Sequence, residues 1–158
     1  MRWIYLAGWI VLCLGIGSLG ARWTAPEIGG WYQTLRKPSF NPPNWVFGPV
    51  WTLLYVLMAV AMWRVDMAGS ALGHTVAVAL FLVQLALNLA WSWIFFHRHA
   101  IGAAAIELFV LWLAIAATMG VFARIDVLAA GLLVPYLGWV SFAFSLNAML
   151  WRLNASKA

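Results

Sequence analysis

Five long apolar runs, separated by polar breaks, constrain the fold of this chain more than any other feature. They cover residues 3–21, 44–63, 73–96, 100–122 and 127–150. Each is close to the roughly 20 residues that cross the hydrocarbon core of a bilayer as a helix. The runs are continuously apolar and lack the alternation of membrane strands, which favours helices over a barrel. The sequence therefore predicts an all-α integral membrane protein, a bundle of five transmembrane helices.

The composition excludes a soluble globular domain. Hydrophobic residues make up 66% of the chain and charged residues only 8%, whereas soluble proteins carry roughly 25% charged residues. Basic residues lie at the ends of the apolar runs rather than in one patch, so the net charge of +5 does not indicate a nucleic-acid partner. The single cysteine, Cys13, excludes an intrachain disulfide. We expect no metal site and no required cofactor.

The first run resembles a signal peptide, because Arg2 precedes it and small residues end it. However, residues 3–21 form a longer apolar stretch than the roughly 7–15 residues of a signal sequence. We expect a retained first helix. The breaks at 64–66, 97–99 and 124–126 are short, which predicts antiparallel neighbours in one membrane domain over residues 1–158.

The connector at residues 22–43 is the exception, because it is long and unusually rigid. Four of the six prolines lie in the segment 36–51, with Trp31, Trp45 and Trp51 in it or beside it. Proline fixes φ and removes backbone donors, so such a segment holds one shape. We interpret residues 22–43 as a structured lid over one end of the bundle.

The distribution of basic residues predicts the orientation. Three lie on the side of the N-terminus: Arg2, Arg64 and Arg124. Six lie on the opposite side: Arg22, Arg36, Lys37, Arg98, Arg152 and Lys157. The positive-inside rule then places the N-terminus outside, and the loop 22–43 and the C-terminus in the cytoplasm, of what we expect to be a bacterial cell membrane.

Polar residues inside the runs are candidates for function. Glu107 is the only acidic residue within a run. Such a carboxyl is either a ligand contact or proton site, or a structural carboxyl that is neutral or hydrogen-bonded to a neighbouring helix. Gln84, Asn88 and Trp91 share one face of the third helix, where they either join helices or line a cavity. Small residues at a spacing that permits close helix contact predict a homodimer through this helix: Gly73, Ala77, Ala86 and Ala90.

Three tryptophans differ from those at the ends of the runs. Trp51, Trp91 and Trp139 all fall in the half of the bundle next to the loop. They either wall an apolar site for a flat ligand or pack between helices. Catalytic motifs are absent from the sequence, with no nucleophile–base pair, glycine-rich phosphate loop or pair of carboxylates.

Several segments together resemble the TspO/MBR family, which includes the translocator proteins, over nearly the whole chain. The matching segments are Trp31-Tyr32, Lys37-Pro38-Ser39, Asn41-Pro42-Pro43, Trp51-Thr52-Leu53-Leu54-Tyr55, Gln84-Leu85-Ala86-Leu87-Asn88, Ile94-Phe95-Phe96, Pro135-Tyr136-Leu137, Leu146-Asn147 and Trp151-Arg152. The resemblance implies a five-helix fold and homodimers. It also implies binding of porphyrins such as protoporphyrin IX or haem, and of hydrophobic drug-like ligands, beneath the first loop.

The resemblance also implies which residues line this site. They are Tyr32, Pro42, Trp51, Asn88, Trp91, Trp139, Ala143 and Leu146, and we add Glu107 from its position in a span. Trp51 and Trp139 match the tryptophans that the family links to light-dependent porphyrin breakdown. We therefore expect a porphyrin receptor or sensor, with a porphyrin-degrading enzyme and a porphyrin or sterol transporter as alternatives.

The sequence departs from the family pattern at two positions. Ala148 stands where the cholesterol-recognition pattern needs a tyrosine, so strong sterol recognition is not expected. Phe40 stands where many relatives have tryptophan, which keeps the loop aromatic.

Overall fold

The computed structural model describes residues 2–69 and 71–156. This part of the chain is helical and holds five helices long and apolar enough to cross a membrane. The predicted five-helix membrane bundle is confirmed, and the protein is a multi-pass membrane protein. The elements in order are α1 (Arg2–Gly29), a 3-10 turn (Trp31–Thr34), α2 (Asn44–Ala68), α3 (Ala71–Ser92) with a π turn (Trp93–His97), α4 (Ile101–Ile125), α5 (Val127–Leu132) and α6 (Val134–Leu153).

The first helix is longer than its apolar run. It passes through Arg22 and Pro26 and ends at Gly29, whereas the sequence predicted an end at Ala21. Arg22 is exposed, and the helix continues past Pro26 although an interior proline costs a backbone hydrogen bond and clashes with the carbonyl four residues earlier. The connector without α-helix is therefore residues 30–43, which we call the lid loop.

The last span is two helices in sequence. α5 ends before Leu133 and α6 begins at Val134, with Pro135 in its first turn. Proline is favoured at that position because its missing N–H has no helical partner there. The last span is thus broken just before Pro135.

The third span ends in a π turn. The Arg98 N–H bonds to the carbonyl of Trp93, and Ala100 to that of Ile94. His99 closes the turn with a φ of 53°, a conformation that few residues other than glycine adopt. The wider turn allows the adjacent Phe95 and Phe96 both to be buried.

Helix pairs α1–α2, α3–α4 and α4–α6 form the main contacts of the bundle. The core centres on fully buried side chains such as Met58, Phe81, Ile115, Phe122 and Tyr136. Many large apolar side chains on the outside are exposed in the isolated chain, as lipid-facing surfaces of a membrane protein are.

Charged groups join the helices at the end opposite the lid loop. Arg64 of α2 lies 2.7 Å from Asp126, whose other oxygen caps α5 by accepting hydrogen bonds from the N–H groups of Leu128 and Ala129. Desolvation raises the pKa of Asp126, but these backbone hydrogen bonds and the Arg64 guanidinium outweigh it and hold that pKa below its ordinary value.

Candidate functional site: an aromatic cavity beneath the lid loop

A cavity of about 600 Å³ lies in the half of the bundle next to the lid loop. Its volume is within the range of small-molecule sites, roughly 300–1,000 Å³. Segments of four helices and the lid loop's 3-10 turn form its walls: residues 14–28 of α1, 44–55 of α2, 88–96 of α3 and its π turn, 139–150 of α6, and Tyr32.

Small residues of α1 bring its backbone close to the aromatic walls. A Cβ on Gly17 would lie 2.6 Å from Cε2 of Tyr55, and one on Gly20 would lie 3.1 Å from Oγ of Ser92. The distance at Gly17 is shorter than real Cβ contacts, so glycine is needed there for the close approach of α1 to α2, whereas the distance at Gly20 is tight and would require Ser92 to shift slightly. The small side chains of Ala21 and Ala25 continue the same wall towards the loop.

The three tryptophans each sit in an aromatic cluster. Trp51 packs edge-on against Tyr136, with ring centroids 6.3 Å apart. The ring of Trp91 stacks on Phe95 at 5.3 Å. Trp139 lies 5.4 Å from Phe142. These rings buttress one another, so the flat apolar walls are held in place without a ligand.

A chain of buried hydrogen bonds starts at the cavity wall and enters the core. The Tyr55 hydroxyl donates to Oδ1 of Asn88 at 2.6 Å, and Nδ2 of Asn88 donates to the Tyr136 hydroxyl at 2.9 Å. Tyr136 donates in turn to Oε1 of Gln84 at 2.8 Å. Of the four, Tyr55 and Asn88 line the cavity.

Asn147 joins the floor of the cavity to α4. Its Oδ1 accepts a hydrogen bond from the Trp91 indole at 3.2 Å, and its Nδ2 donates to the carbonyl of Ile101 at 2.8 Å. The second bond satisfies a backbone carbonyl at the start of α4. One buried amide thus positions Trp91 relative to two helices.

Tyr32 anchors the lid loop over the cavity. The residue is buried, its hydroxyl donates to Oδ1 of Asn41 at 2.7 Å, and Lys37 Nζ lies 4.8 Å from its ring centroid. Burial raises the pKa of Tyr32 to about 12, an effect that the bond to Asn41 only partly offsets. The hydroxyl therefore stays protonated and donates across the physiological range. From the loop, Phe40 also reaches Phe142, with centroids 6.2 Å apart.

Asn154, just after α6, holds the middle of the lid loop. Its Oδ1 accepts from the N–H of Arg36 at 3.0 Å, and its Nδ2 donates to the Arg36 carbonyl at 2.9 Å. This buried side chain thus pairs with both backbone groups of one loop residue, as a neighbouring strand would.

The turn after α3 holds the start of the loop. The His99 ring stacks on Trp31 with centroids 4.0 Å apart, and its Nε2 lies 3.1 Å from Oε2 of Glu27. Together with Asn154, this contact fixes the lid loop at two points.

The structure gathers most of the predicted site residues around this cavity. Those that line it are Tyr32, Trp51, Asn88, Trp91, Trp139, Ala143 and Leu146. Pro42 and Glu107 are not part of the lining. Glu107 is buried elsewhere on α4, with no hydrogen-bond partner for either carboxyl oxygen among the described residues.

Sequence reasoning missed the wall that α1 provides and the amide of Asn147. The α1 lining includes Gly17, Gly20, Ala21, Thr24 and Ala25. Small residues recurring every three or four positions were the available signal, because they mark one helical face. Asn147 stood in a segment that resembled the family, but nothing in the sequence indicated its contact with Trp91.

The residues predicted for a dimer fall into two groups. Ala77 is fully buried in its own chain, and a Cβ on Gly73 would lie 3.1 Å from Ile125. Ala86 is exposed and Ala90 is half-buried. A dimer through α3 stays a prediction, and Ala86 and Ala90 are the residues placed to take part in it.

Ala148 lies in a shallow apolar groove between α4 and α6. The groove also includes Ile106, Phe109, Phe144 and Trp151. Its lining carries no tyrosine, and weak sterol recognition at this position stays a prediction.

Comparison with known proteins adds the family. The model of the TspO/MBR family matches residues 9–152. A tryptophan-rich protein TspO from Chlorobaculum tepidum is 45% identical over 150 residues, which cover 94% of this chain and 95% of the relative. A tryptophan-rich sensory protein from Cereibacter sphaeroides is 38% identical over 154 residues, covering 98% and 94%.

A eukaryotic relative matches over a similar extent. The human translocator protein is 41% identical over 138 residues, which cover 86% of this chain and 82% of the relative. The family match begins within α1, includes the lid loop and ends near the end of α6. This chain belongs to the TspO/MBR family.

Proposed function

We propose that this protein is a membrane receptor or sensor that binds porphyrins, such as protoporphyrin IX or haem, in the cavity beneath the lid loop. Other flat hydrophobic molecules of drug size fit the same site. The observation that carries this proposal is the convergence of Trp51, Trp91 and Trp139 on one cavity of about 600 Å³. The binding of a tetrapyrrole would then report or regulate tetrapyrrole handling or a stress response.

The chemistry of the walls suits a flat aromatic ligand. Indole and phenyl faces gain from offset or edge-on contact with another π system, in addition to the burial of apolar area. Polar groups are few and are held by two separate sets of hydrogen bonds, one between Tyr55 and Asn88 and one between Trp91 and Asn147. Such a mixture of apolar area and a few fixed polar groups is typical of ligand sites.

Charge at this end of the bundle suits the carboxylates of a porphyrin. The sequence places Arg22, Arg36, Lys37 and Arg98 at the lid end, where Glu27 is the only acidic residue. A cationic rim attracts an anionic amphipathic ligand and orients its propionate groups towards water while the macrocycle enters the cavity.

The experiment is a titration of detergent-purified protein with protoporphyrin IX in the dark, followed by quenching of tryptophan fluorescence. Trp51→Phe and Trp139→Phe should each raise the Kd, by about 5- to 10-fold for the loss of one indole face. Trp63→Phe is the matched control, because Trp63 stacks on Trp3 far from the cavity, and its Kd should equal the wild-type value. Equal affinities in all three variants would exclude this site.

Light-dependent breakdown of porphyrin is the second candidate function. Trp51 and Trp139 are both in the lining, so an excited porphyrin there would contact an electron-rich indole with dissolved oxygen as the oxidant. Porphyrin absorbance should then fall under light in air, faster with wild type than with Trp51→Phe or Trp139→Phe. A rate no greater than that with free indole would leave binding as the function.

A further inference from the structure

A thioether ends the buried hydrogen-bond chain that starts at the cavity wall. After Tyr55, Asn88 and Tyr136, the chain reaches Gln84, whose Nε2 lies 3.9 Å from Sδ of Met58. Met58 and Gln84 are both buried, and neither belongs to the lining of the cavity. The two residues therefore lie outside the lining, and the hydrogen bonds connect them to the cavity wall.

Met58 fixes the donor-to-acceptor direction of this series of hydrogen bonds. A thioether sulphur accepts a hydrogen bond but has no hydrogen to donate, so the amide nitrogen of Gln84 must face it. Oε1 of Gln84 then faces Tyr136 and takes its only hydroxyl hydrogen. With that hydrogen used, Asn88 must be the donor to Tyr136, which turns Oδ1 of Asn88 towards Tyr55.

The direction of these hydrogen bonds determines whether the Tyr55 hydroxyl can donate a hydrogen bond to a ligand or only accept one. Its one hydroxyl hydrogen is committed to Asn88, so the phenol has no hydrogen left for a ligand. Its oxygen keeps acceptor capacity, since no donor from the described residues 2–69 and 71–156 bonds to it. Because Tyr55 and Asn88 both line the cavity, a ligand there lies next to the residue that carries this acceptor.

We propose that Met58 and Gln84 act as specificity-determining residues that make Tyr55 an acceptor only, so that the cavity prefers flat ligands with an N–H or O–H donor. The proposal rests on the proposed function, in that it takes this cavity as the ligand site. A ligand that places an acceptor against Tyr55 leaves two acceptors facing each other without a hydrogen between them. A site built around a fixed hydrogen-bonding group rejects the analogue that cannot pair with it.

Three tricyclic probes of nearly the same shape test the preference. Carbazole carries an N–H donor, fluorene a methylene group, and dibenzofuran an ether oxygen in the same position. Equilibrium dialysis against detergent-purified protein, with empty micelles as the reference, gives the bound fraction of each probe. Wild type should bind carbazole about 3- to 10-fold more tightly than dibenzofuran, the range of one neutral hydrogen bond, with fluorene between them.

Two substitutions outside the cavity should remove the preference. In Met58→Leu the acceptor is lost, so the Gln84 amide can turn and the chain can reverse. In Gln84→Leu the Tyr136 hydroxyl loses its acceptor, so the series of hydrogen bonds can reverse as well. Either change lets Tyr55 donate to dibenzofuran, and the ratio of the two affinities should fall to about one. Met62→Leu is the control, since Met62 is equally buried on α2 but forms no bond to the chain, and it should keep the wild-type ratio.

The outcomes separate this proposal from the proposed function. A wild-type ratio near one, with clear binding of all three probes, would overturn the donor preference and leave the cavity as a binding site. An unchanged ratio in Met58→Leu would also overturn it, because the direction would then not depend on the thioether. Absence of binding of every probe above the empty micelles would count against both proposals.

Discussion

At the scale of single residues, the site depends on residues whose role can be recognised only from their contacts in the structure. Gly17 is a small residue in an apolar run, and the sequence alone assigns it no task. In the structure, its missing side chain lets the Tyr55 ring lie against the backbone of α1. The sequence could nominate Trp51, Trp91 and Trp139, because large aromatic side chains are conspicuous, but not the glycine that makes room for their partner.

Gly17→Ala should therefore lower the stability of the protein and disturb the cavity wall. The new Cβ would lie 2.6 Å from a ring carbon of Tyr55, whose hydroxyl bond to Asn88 prevents the ring from moving aside. Overpacking of this kind costs about 1–3 kcal/mol. Thermal unfolding in detergent measures the effect. Gly15→Ala is the matched control, because nothing lies within 4 Å of its Cβ position; an equal loss in that variant would contradict the explanation.

Asp126 should give a pH-dependent contribution to stability. It caps α5 and pairs with Arg64, and its folded-state pKa is below the ordinary value of 3.8. The contribution of a carboxylate with a lowered pKa is fully present above its unfolded-state pKa and is lost as the pH falls through the folded-state pKa. Asp126→Ala should cost about 0.5–2 kcal/mol near neutral pH.

The measurement is thermal unfolding of wild type and Asp126→Ala over a pH series. The difference between them should begin to shrink below about pH 4, where the carboxyl of the unfolded chain takes up protons, and should be lost as the pH falls through the lowered folded-state pKa. Asp126→Asn keeps a side-chain oxygen for the cap but has no titrating group, so the pH dependence should be absent from it. A difference that does not change with pH would mean that the charge of Asp126 contributes nothing.

At the scale of elements, the apolar runs predicted where helices lie but not where all of them end. α2 begins at Asn44, as predicted, because Pro43 stands just before it. α1 continues to Gly29, past the exposed Arg22 and with Pro26 inside the helix. The lid loop is consequently shorter than the predicted 22–43, and part of that segment became a wall of the cavity.

The attachment of the lid loop could not be predicted, because its partners are far away in the chain. Asn154 bonds to Arg36 across 118 positions, and His99 contacts Glu27 across 72. No sequence pattern around either Asn154 or His99 indicates which distant residue it contacts. The rigidity that the prolines indicated is thus completed by contacts from α6 and from the turn after α3.

Asn154→Leu should loosen the lid loop while leaving the bundle folded. The change removes two hydrogen bonds to Arg36 and leaves its backbone groups without their partner. Hydrogen exchange at residues 30–43 should become faster, and bound porphyrin should dissociate about 3- to 10-fold faster, as the loss of one or two hydrogen bonds implies. Gln33→Ala is the control, because it removes only an exposed hydrogen bond in the same region, and it should change neither rate. If hydrogen exchange at residues 30–43 is unchanged in Asn154→Leu, the bonds to Arg36 do not hold the lid loop.

At the scale of the whole molecule, hydropathy was sufficient for the five-span bundle, because a membrane requires each span to satisfy its own backbone. The side on which the lid loop lies is a separate prediction from the basic residues. Cysteine labelling tests it in a Cys13→Ala background. With the lid end in the cytoplasm, a membrane-impermeant maleimide should modify Ala68→Cys in intact bacterial cells and leave Ser39→Cys unmodified. The reverse pattern would place the lid loop outside.

The proposed receptor holds a flat tetrapyrrole in the aromatic cavity beneath the lid loop. The most direct measurement is a crystal structure of the protein grown in the dark with protoporphyrin IX. We expect density for the macrocycle between Trp51 and Trp139, with its propionates towards the basic rim near Arg36. Density only on the lipid-facing surface, such as the groove at Ala148, or an empty cavity at saturating porphyrin, would contradict it.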